Sequence, residues 1–131
     1  MSTNREYRSR IVTRGLDRAA HRAFLRACGR DEGDLDKPQI GIVSTHGENT
    51  PCSMSLAPQA DAARLGVAAG GALPVPFATI SVSDGVSMNH KGMRLSLISR
   101  EIIADSIEAV MRAHASAPAT SPRHRRTRSA H

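Results

Sequence analysis

Tryptophan is missing from this chain, tyrosine occurs once and phenylalanine twice. With aromatics at 2% of residues, the core has to be assembled from Ile, Val, Leu, Met and Ala, which bury less area per side chain. Cysteine is nearly as scarce. Cys28 and Cys52 are too few for the disulfide framework of a small secreted domain. No stretch approaches the roughly 18 consecutive apolar residues that read as a membrane-spanning helix. The opening MSTNREYRSR lacks the apolar centre of a secretory leader, so the expected location is cytoplasmic.

What is present is enough for one domain with a modest core. The chain has 131 residues, 40% of them hydrophobic and 23% charged. Its net charge of +6 resembles a nucleic-acid signal until it is mapped. The last sixteen residues, SAPATSPRHRRTRSAH, hold four arginines and no acid; without them the chain carries 14 basic and 12 acidic residues. Basicity therefore belongs to the tail. The expected organisation is one α/β domain over residues 1–115 and a basic, disordered tail over 116–131. Such a tail would give only weak, salt-sensitive, non-specific contact with nucleic acid.

Hydrophobic periodicity predicts a helix over residues 15–28, where Leu16, Ala19, Ala20, Ala23, Phe24 and Ala27 recur at helical spacing and Gly29 comes next as a stop. Arg18, Arg22, Arg26 and Arg30 line the flank of that stripe and read as a solvated face, or else as a face that packs on a partner. DEGDLDKP reads as an acidic loop. QIGIVS, residues 39–44, is a short β-branched run of the kind found in strands buried on both faces of a parallel sheet. A helix is expected over residues 53–66, with Pro58 tolerated only near its start. A second strand is expected over 77–82, with Pro74 and Pro76 holding the approach extended, and a third helix over 99–114. This order of elements predicts an α/β layer structure with a small, mostly parallel sheet.

Two polar loops succeed the two predicted strands, and ligands of open α/β sheets bind at carboxyl ends of strands. STHGENTPCS presents Cys52 after a proline, among polar residues, rather than inside an apolar run. Such a thiol can be a nucleophile, a redox group, a metal ligand or simply inert. His46 and Cys52 alone do not make a zinc site, which takes three or four protein ligands. SDGVSMNHKGM presents Asp84, which can hold Mg²⁺ through one carboxylate or merely bond the backbone ahead of it in an Asx-turn. His90 and Lys91 lie close by and read as surface residues, and Cys28 as a packed or half-buried thiol.

The run DKPQIGIVSTHGENTPCSMSL, then GVAAGGALPVPFATISVSDGVSMNHKGMRLSLISREIIADSIEAVMRAH, resembles the N-terminal part of the dihydroxy-acid dehydratase family, which also includes phosphogluconate and sugar-acid dehydratases. The resemblance covers residues 9–114 and implies part of a three-layer αβα domain. It implies that Cys52 is a ligand of an iron–sulfur cluster and Asp84 a ligand of Mg²⁺. The implied reaction is dehydration of a 2,3-dihydroxy carboxylic acid to a 2-oxo acid in branched-chain amino acid synthesis. The implied assembly is a homo-oligomer, with no specific nucleic acid and no membrane as partner.

Departures from the family pattern are as informative. His46-Gly47 replaces a usual Trp-Asn, and Asn89 and Lys91 stand where Gly and Glu usually flank the histidine of the SDG loop. A lysine in place of an acid brings positive charge toward a cation site. Beyond His114 the family continues into a strand and a Gly-Cys-Asp-Lys segment with further ligands, where this chain has its Ala-, Arg- and Ser-rich tail. The expectation is a truncated or frameshifted member, inactive alone. The alternative is a non-catalytic fragment that associates with intact family members.

Overall fold

The computed structural model describes residues 7–118. In chain order it contains α1 (Arg10–Thr13), a 3₁₀ turn (Leu16–Arg18), α2 (Ala19–Ala27), α3 (Glu32–Leu35) and β1 (Gln39–Ser44). Then come α4 (Pro51–Met54), α5 (Leu56–Ala69), β2 (Leu73–Ala78), α6 (Asp84–Ser87), a second 3₁₀ turn (Lys91–Met93), α7 (Arg94–Ala113) and β3 (Ala117–Pro118). The sheet order is β2-β1-β3 and both pairings are parallel, with Gln39 opposite Leu73, Ser44 opposite Ala78 and Ile40 opposite Ala117. Parallel neighbours require long crossovers, and α5 and α7 provide them. The result is the α/β class read from the sequence, a partial αβα domain around a small parallel sheet.

Three helices end the same way. After α2, Gly29 (φ 78°) donates to the Arg26 carbonyl and Arg30 to that of Leu25; after α5, Gly71 (φ 77°) donates to Ala68 and Ala72 to Val67. After α7, Ala115 (φ 52°) donates to Arg112 and Ser116 to Met111. This is the Schellman pattern, whose left-handed residue is normally glycine. At the ends of α5 and α7 it turns the chain within three residues into β2 and β3.

The core is small: Leu35, Ile42, Leu73, Met111 and Ala115 are its buried apolar side chains among the described residues. β1 and α7 meet at Gly41, where an added Cβ would lie 2.4 Å from Met111 Sδ. Glycine is required there for close approach and not for its dihedral freedom.

The second strand differs from expectation. It occupies Leu73–Ala78 rather than 77–82, with both prolines inside it. The pairing explains this. Leu73 N–H donates to the Pro38 carbonyl and Thr79 N–H to that of Ser44, so odd-numbered residues address β1 and even-numbered ones face the open edge. Pro74 and Pro76 therefore sit where no ladder hydrogen bond is lost. The outward carbonyl of Pro74 accepts from Arg30 Nη2 at 3.3 Å.

Other boundaries shift too. The helix expected over 53–66 is two helices, α4 and α5, joined at Ser55, with Pro58 in the first turn of α5. The helix expected from 99 begins at Arg94. That expected over 15–28 is a 3₁₀ turn leading into α2, and its apolar stripe is largely bare, with Leu16 95% and Phe24 77% exposed. The flanking arginines are not merely solvated: Arg22 Nη1 donates to the carbonyls of Gly15 (2.7 Å) and Thr13 (3.2 Å), and Arg26 pairs with Glu32. The acidic loop contains α3, opened by a capping box in which Asp31 accepts from Asp34 N–H and Asp34 from Asp31 N–H. Ser116 is buried and Ala117 pairs with Ile40, while the basic tail from residue 119 lies outside the described residues.

Candidate functional site

β1 and β2 run side by side in the same direction, so the loops leaving Ser44 and Ala78 emerge together at one end of the sheet. After β1, Ser44 Oγ accepts from His46 N–H at 3.1 Å. Thr50 is extended (φ −153°, ψ 135°) and buried, and Pro51 takes the first helical position, where its missing N–H costs nothing. Cys52 is therefore the second residue of a short helix, exposed as its polar neighbours predict. The next residue, Ser53, is buried and its N–H donates to the Thr50 carbonyl at 3.0 Å.

After β2, Ser83 caps α6: its hydroxyl accepts from Val86 N–H at 3.4 Å and its carbonyl accepts from Ser87 N–H at 3.0 Å. Asp84, the first residue of α6, is exposed and its carboxylate accepts a hydrogen bond from Ser96 Oγ on the first turn of α7. The backbone-capping role open to Asp84 in an Asx-turn thus falls to its neighbour Ser83, leaving the Asp84 carboxylate to a side chain.

Ser81 ties the two loops together. Its carbonyl accepts from Asn49 Nδ2 at 2.9 Å, and its hydroxyl shares a hydrogen bond with Ser53 Oγ at 3.1 Å. The thiol loop is anchored by the residue next to Cys52, and the carboxylate loop by a residue three before Asp84. Sequence pattern did not single out Asn49, Ser53, Ser81 or Ser96. A partial signal existed, since Asn49 and Ser53 flank Cys52 within STHGENTPCS.

The remaining candidates have local roles. His90 caps the second 3₁₀ turn, its Nδ1 accepting from Gly92 N–H at 3.0 Å. Asn89 has φ 62°, in the left-handed region that glycine adopts freely and asparagine tolerates best among residues with a side chain. Lys91 is exposed. Cys28 is exposed rather than packed, and it lines a cavity of about 370 Å³ beside Gln39 and Leu73, the first residues of β1 and β2. It is thus at the end of the sheet opposite Cys52. Among the described residues no three His, Cys, Asp or Glu side chains are grouped to hold a metal ion, and no helix is long and apolar enough to cross a membrane.

Parallel strands, helical crossovers and two cross-tied polar loops at the carboxyl ends define an α/β domain of the kind that binds its ligand at strand ends. Comparison with known proteins narrows this class. The family described as "Dihydroxy-acid/6-phosphogluconate dehydratase N-terminal" matches residues 37–118, and the chain belongs to that family. It is 69% identical over 110 residues to dihydroxy-acid dehydratase 2 of Bordetella bronchiseptica, covering 84% of this chain and 19% of that protein. It is 58% identical over 107 residues to dihydroxy-acid dehydratase 3 of Bradyrhizobium diazoefficiens (82% and 18%) and 59% identical over 106 residues to dihydroxy-acid dehydratase of Acidothermus cellulolyticus (81% and 19%). The chain thus spans about a fifth of the length of the curated relatives it matches.

Proposed function

We propose that residues 37–118 form the first cofactor-bearing segment of a hydro-lyase that converts 2,3-dihydroxy carboxylic acids to 2-oxo acids. Cys52 is a thiolate ligand for an iron–sulfur cluster and Asp84 a carboxylate ligand for Mg²⁺. The observation that carries this reading is the pair of hydrogen bonds, Asn49 to the Ser81 carbonyl and Ser53 with the Ser81 hydroxyl, which join the thiol loop to the carboxylate loop. The family match supports it independently.

The donors fit these groups in kind. Thiolates hold iron–sulfur clusters, and Mg²⁺ is held by one or two carboxylates with water and substrate completing its shell. They fall short in number, because the described residues gather no third ligating side chain around either loop. When bound, such metals supply Lewis acidity for a departing hydroxyl and a clamp for the substrate carboxylate. The chain's own contribution is positional: Ser96 orients the Asp84 carboxylate, Pro51 and Thr50 set the helical turn that presents Cys52, and Ser81 fixes one loop against the other. The described residues do not complete the site by themselves.

Grafting residues 9–118 in place of the matched segment of the Bordetella dehydratase tests the reading. The chimera is expected to bind iron and to dehydrate 2,3-dihydroxyisovalerate. In it, Cys52→Ser abolishes cluster absorbance and Asp84→Asn abolishes Mg²⁺-dependent turnover. The 131-residue chain reconstituted with iron and sulfide is expected to show no turnover. A chimera whose iron content and activity are indifferent to Cys52 rejects the assignment.

A further inference from the structure

Mg²⁺ and Ca²⁺ ask different things of a carboxylate. Mg²⁺ demands near-ideal octahedral geometry, which the narrow bite of a carboxylate binding through both oxygens violates. Ca²⁺ gathers about six to eight oxygens in a flexible shell and accepts both from one carboxylate. A carboxylate with one oxygen already engaged therefore suits the smaller ion. Asp84 is of this kind: Ser96 Oγ donates to its Oδ1, and no described residue bonds its Oδ2.

Local structure holds Ser96 in place. It lies in the first turn of α7, directly after the second 3₁₀ turn, where Met93 N–H donates to the His90 carbonyl at 3.1 Å. The Ser96 carbonyl accepts from Oγ of buried Ser99 at 2.8 Å, which fixes the backbone beneath the hydroxyl. Because Ser83 caps α6, the Asp84 carboxylate is not drawn back onto its own helix. The donor is also neutral. A hydroxyl orients an oxygen without the positive charge that Lys or Arg would bring to a cation site.

We propose that Ser96 is a positioning residue that makes Asp84 a one-oxygen ligand and so biases the site toward Mg²⁺ and Mn²⁺ and against Ca²⁺. The inference rests on the dehydratase reading above and goes beyond it in naming what selects the ion. Ser96 acts only through Asp84. A hydrogen bond that did no more than tie α6 to α7 would, on removal, weaken both kinds of ion alike.

Two measurements test this. In the full 131-residue chain at neutral pH, Ser96→Ala is expected to shift the Asp84 carboxyl carbon resonance, and Ser96→Thr, which keeps the hydroxyl, to leave it in place. In the chimera described above, equilibrium dialysis reads Mn²⁺ and Ca²⁺ binding without turnover, Mn²⁺ being the probe for an octahedral ion. There Ser96→Ala is expected to weaken Mn²⁺ about tenfold, the low end for losing a ligand's hydrogen-bond partner, and Ca²⁺ less than about twofold. Ser96→Thr is expected to restore the parental ratio. Equal weakening of both ions overturns the proposal, as does an Asp84 resonance indifferent to Ser96→Ala. An Asp84→Asn chimera that binds Mn²⁺ like its parent sinks the Mg²⁺ reading itself. Loss of Mn²⁺ on Asp84→Asn beside an unmoved ratio on Ser96→Ala sinks the role of Ser96 alone.

Discussion

A methyl group added at Gly41 would sit 2.4 Å from Met111 Sδ and 2.8 Å from its Cε, with Phe77 Cε1 at 3.6 Å. Carbon and sulfur do not approach so closely, so Gly41→Ala forces Met111 to move. Met111 is 7% exposed and has little free space, yet its thioether is flexible and can yield part of the way. Overpacking a core costs about 1–3 kcal/mol, and the flexible partner puts this site near the lower half of that range. Against this, replacing glycine lowers the entropy of the unfolded chain and returns about 0.4–1 kcal/mol. The net expectation is a loss of about 1 kcal/mol for Gly41→Ala and a larger one for Gly41→Val. Met111→Ala alone should cost about 2 kcal/mol, at the low end for buried methionine. In the double variant the new methyl occupies some of the vacated space, so the two losses should fall short of additivity by about 1 kcal/mol. Urea unfolding of the full chain provides the measurement, monitored by far-ultraviolet circular dichroism because the chain has no tryptophan to report. Gly41→Ala at or above wild-type stability, or a cycle additive within about 0.5 kcal/mol, would refute the close packing of α7 on β1.

The remaining predictions concern loops and caps. Asn49→Ala leaves the Ser81 carbonyl without its side-chain donor; a loss of about 1 kcal/mol is expected, with faster hydrogen exchange at the Ser53 amide. Asn89→Gly relieves a left-handed residue and should stabilise by about 0.5 kcal/mol, whereas β-branched Asn89→Val should destabilise by about 1–2 kcal/mol, both read from urea midpoints. The hydrogen bond from Lys37 holds the Asp34 carboxyl below its ordinary 3.8, and the same bond raises Lys37 above 10.5. A depressed acid stabilises the fold above its unfolded value and ceases to do so as pH falls through the folded one, so the Asp34 contribution disappears below pH 3.8. A raised lysine stabilises below its unfolded value and ceases to do so as pH climbs through the folded one, above 10.5. Carboxyl carbon shifts in an NMR titration check the acid limb: Lys37→Ala should bring Asp34 back toward 3.8, and an unchanged midpoint rejects the pairing.

Legibility in the sequence depended on how local each determinant was. β1 was readable to its boundaries because QIGIVS is a continuous β-branched run between turn signals. β2 was displaced because Pro74 and Pro76 are compatible with a strand only when every second N–H faces an open edge, a fact about topology that no window of residues contains. The first turn of α7 was missed because Leu95, Leu97 and Ile98 are exposed and leave no inward stripe to detect. α3 was missed although its D-x-x-D capping box is a local signal, hidden by the acidic and proline punctuation around it. In the candidate site, Cys52 and Asp84 stood out by residue type and by position after strands. The serine that joins their loops did not, because Ser81 acquires its role only when β1 and β2 are laid in register.

The two prolines of β2 carry a consequence for how copies of this fold can associate. A sheet accessible on both flanks can recruit strands without limit, and identical subunits then stack into filaments. Here one flank is terminated chemically, by two imino acids and by the Arg30 guanidinium on the Pro74 carbonyl. Annealing through the β2 flank is thereby disfavoured, so copies of this fold should not stack into filaments through that side.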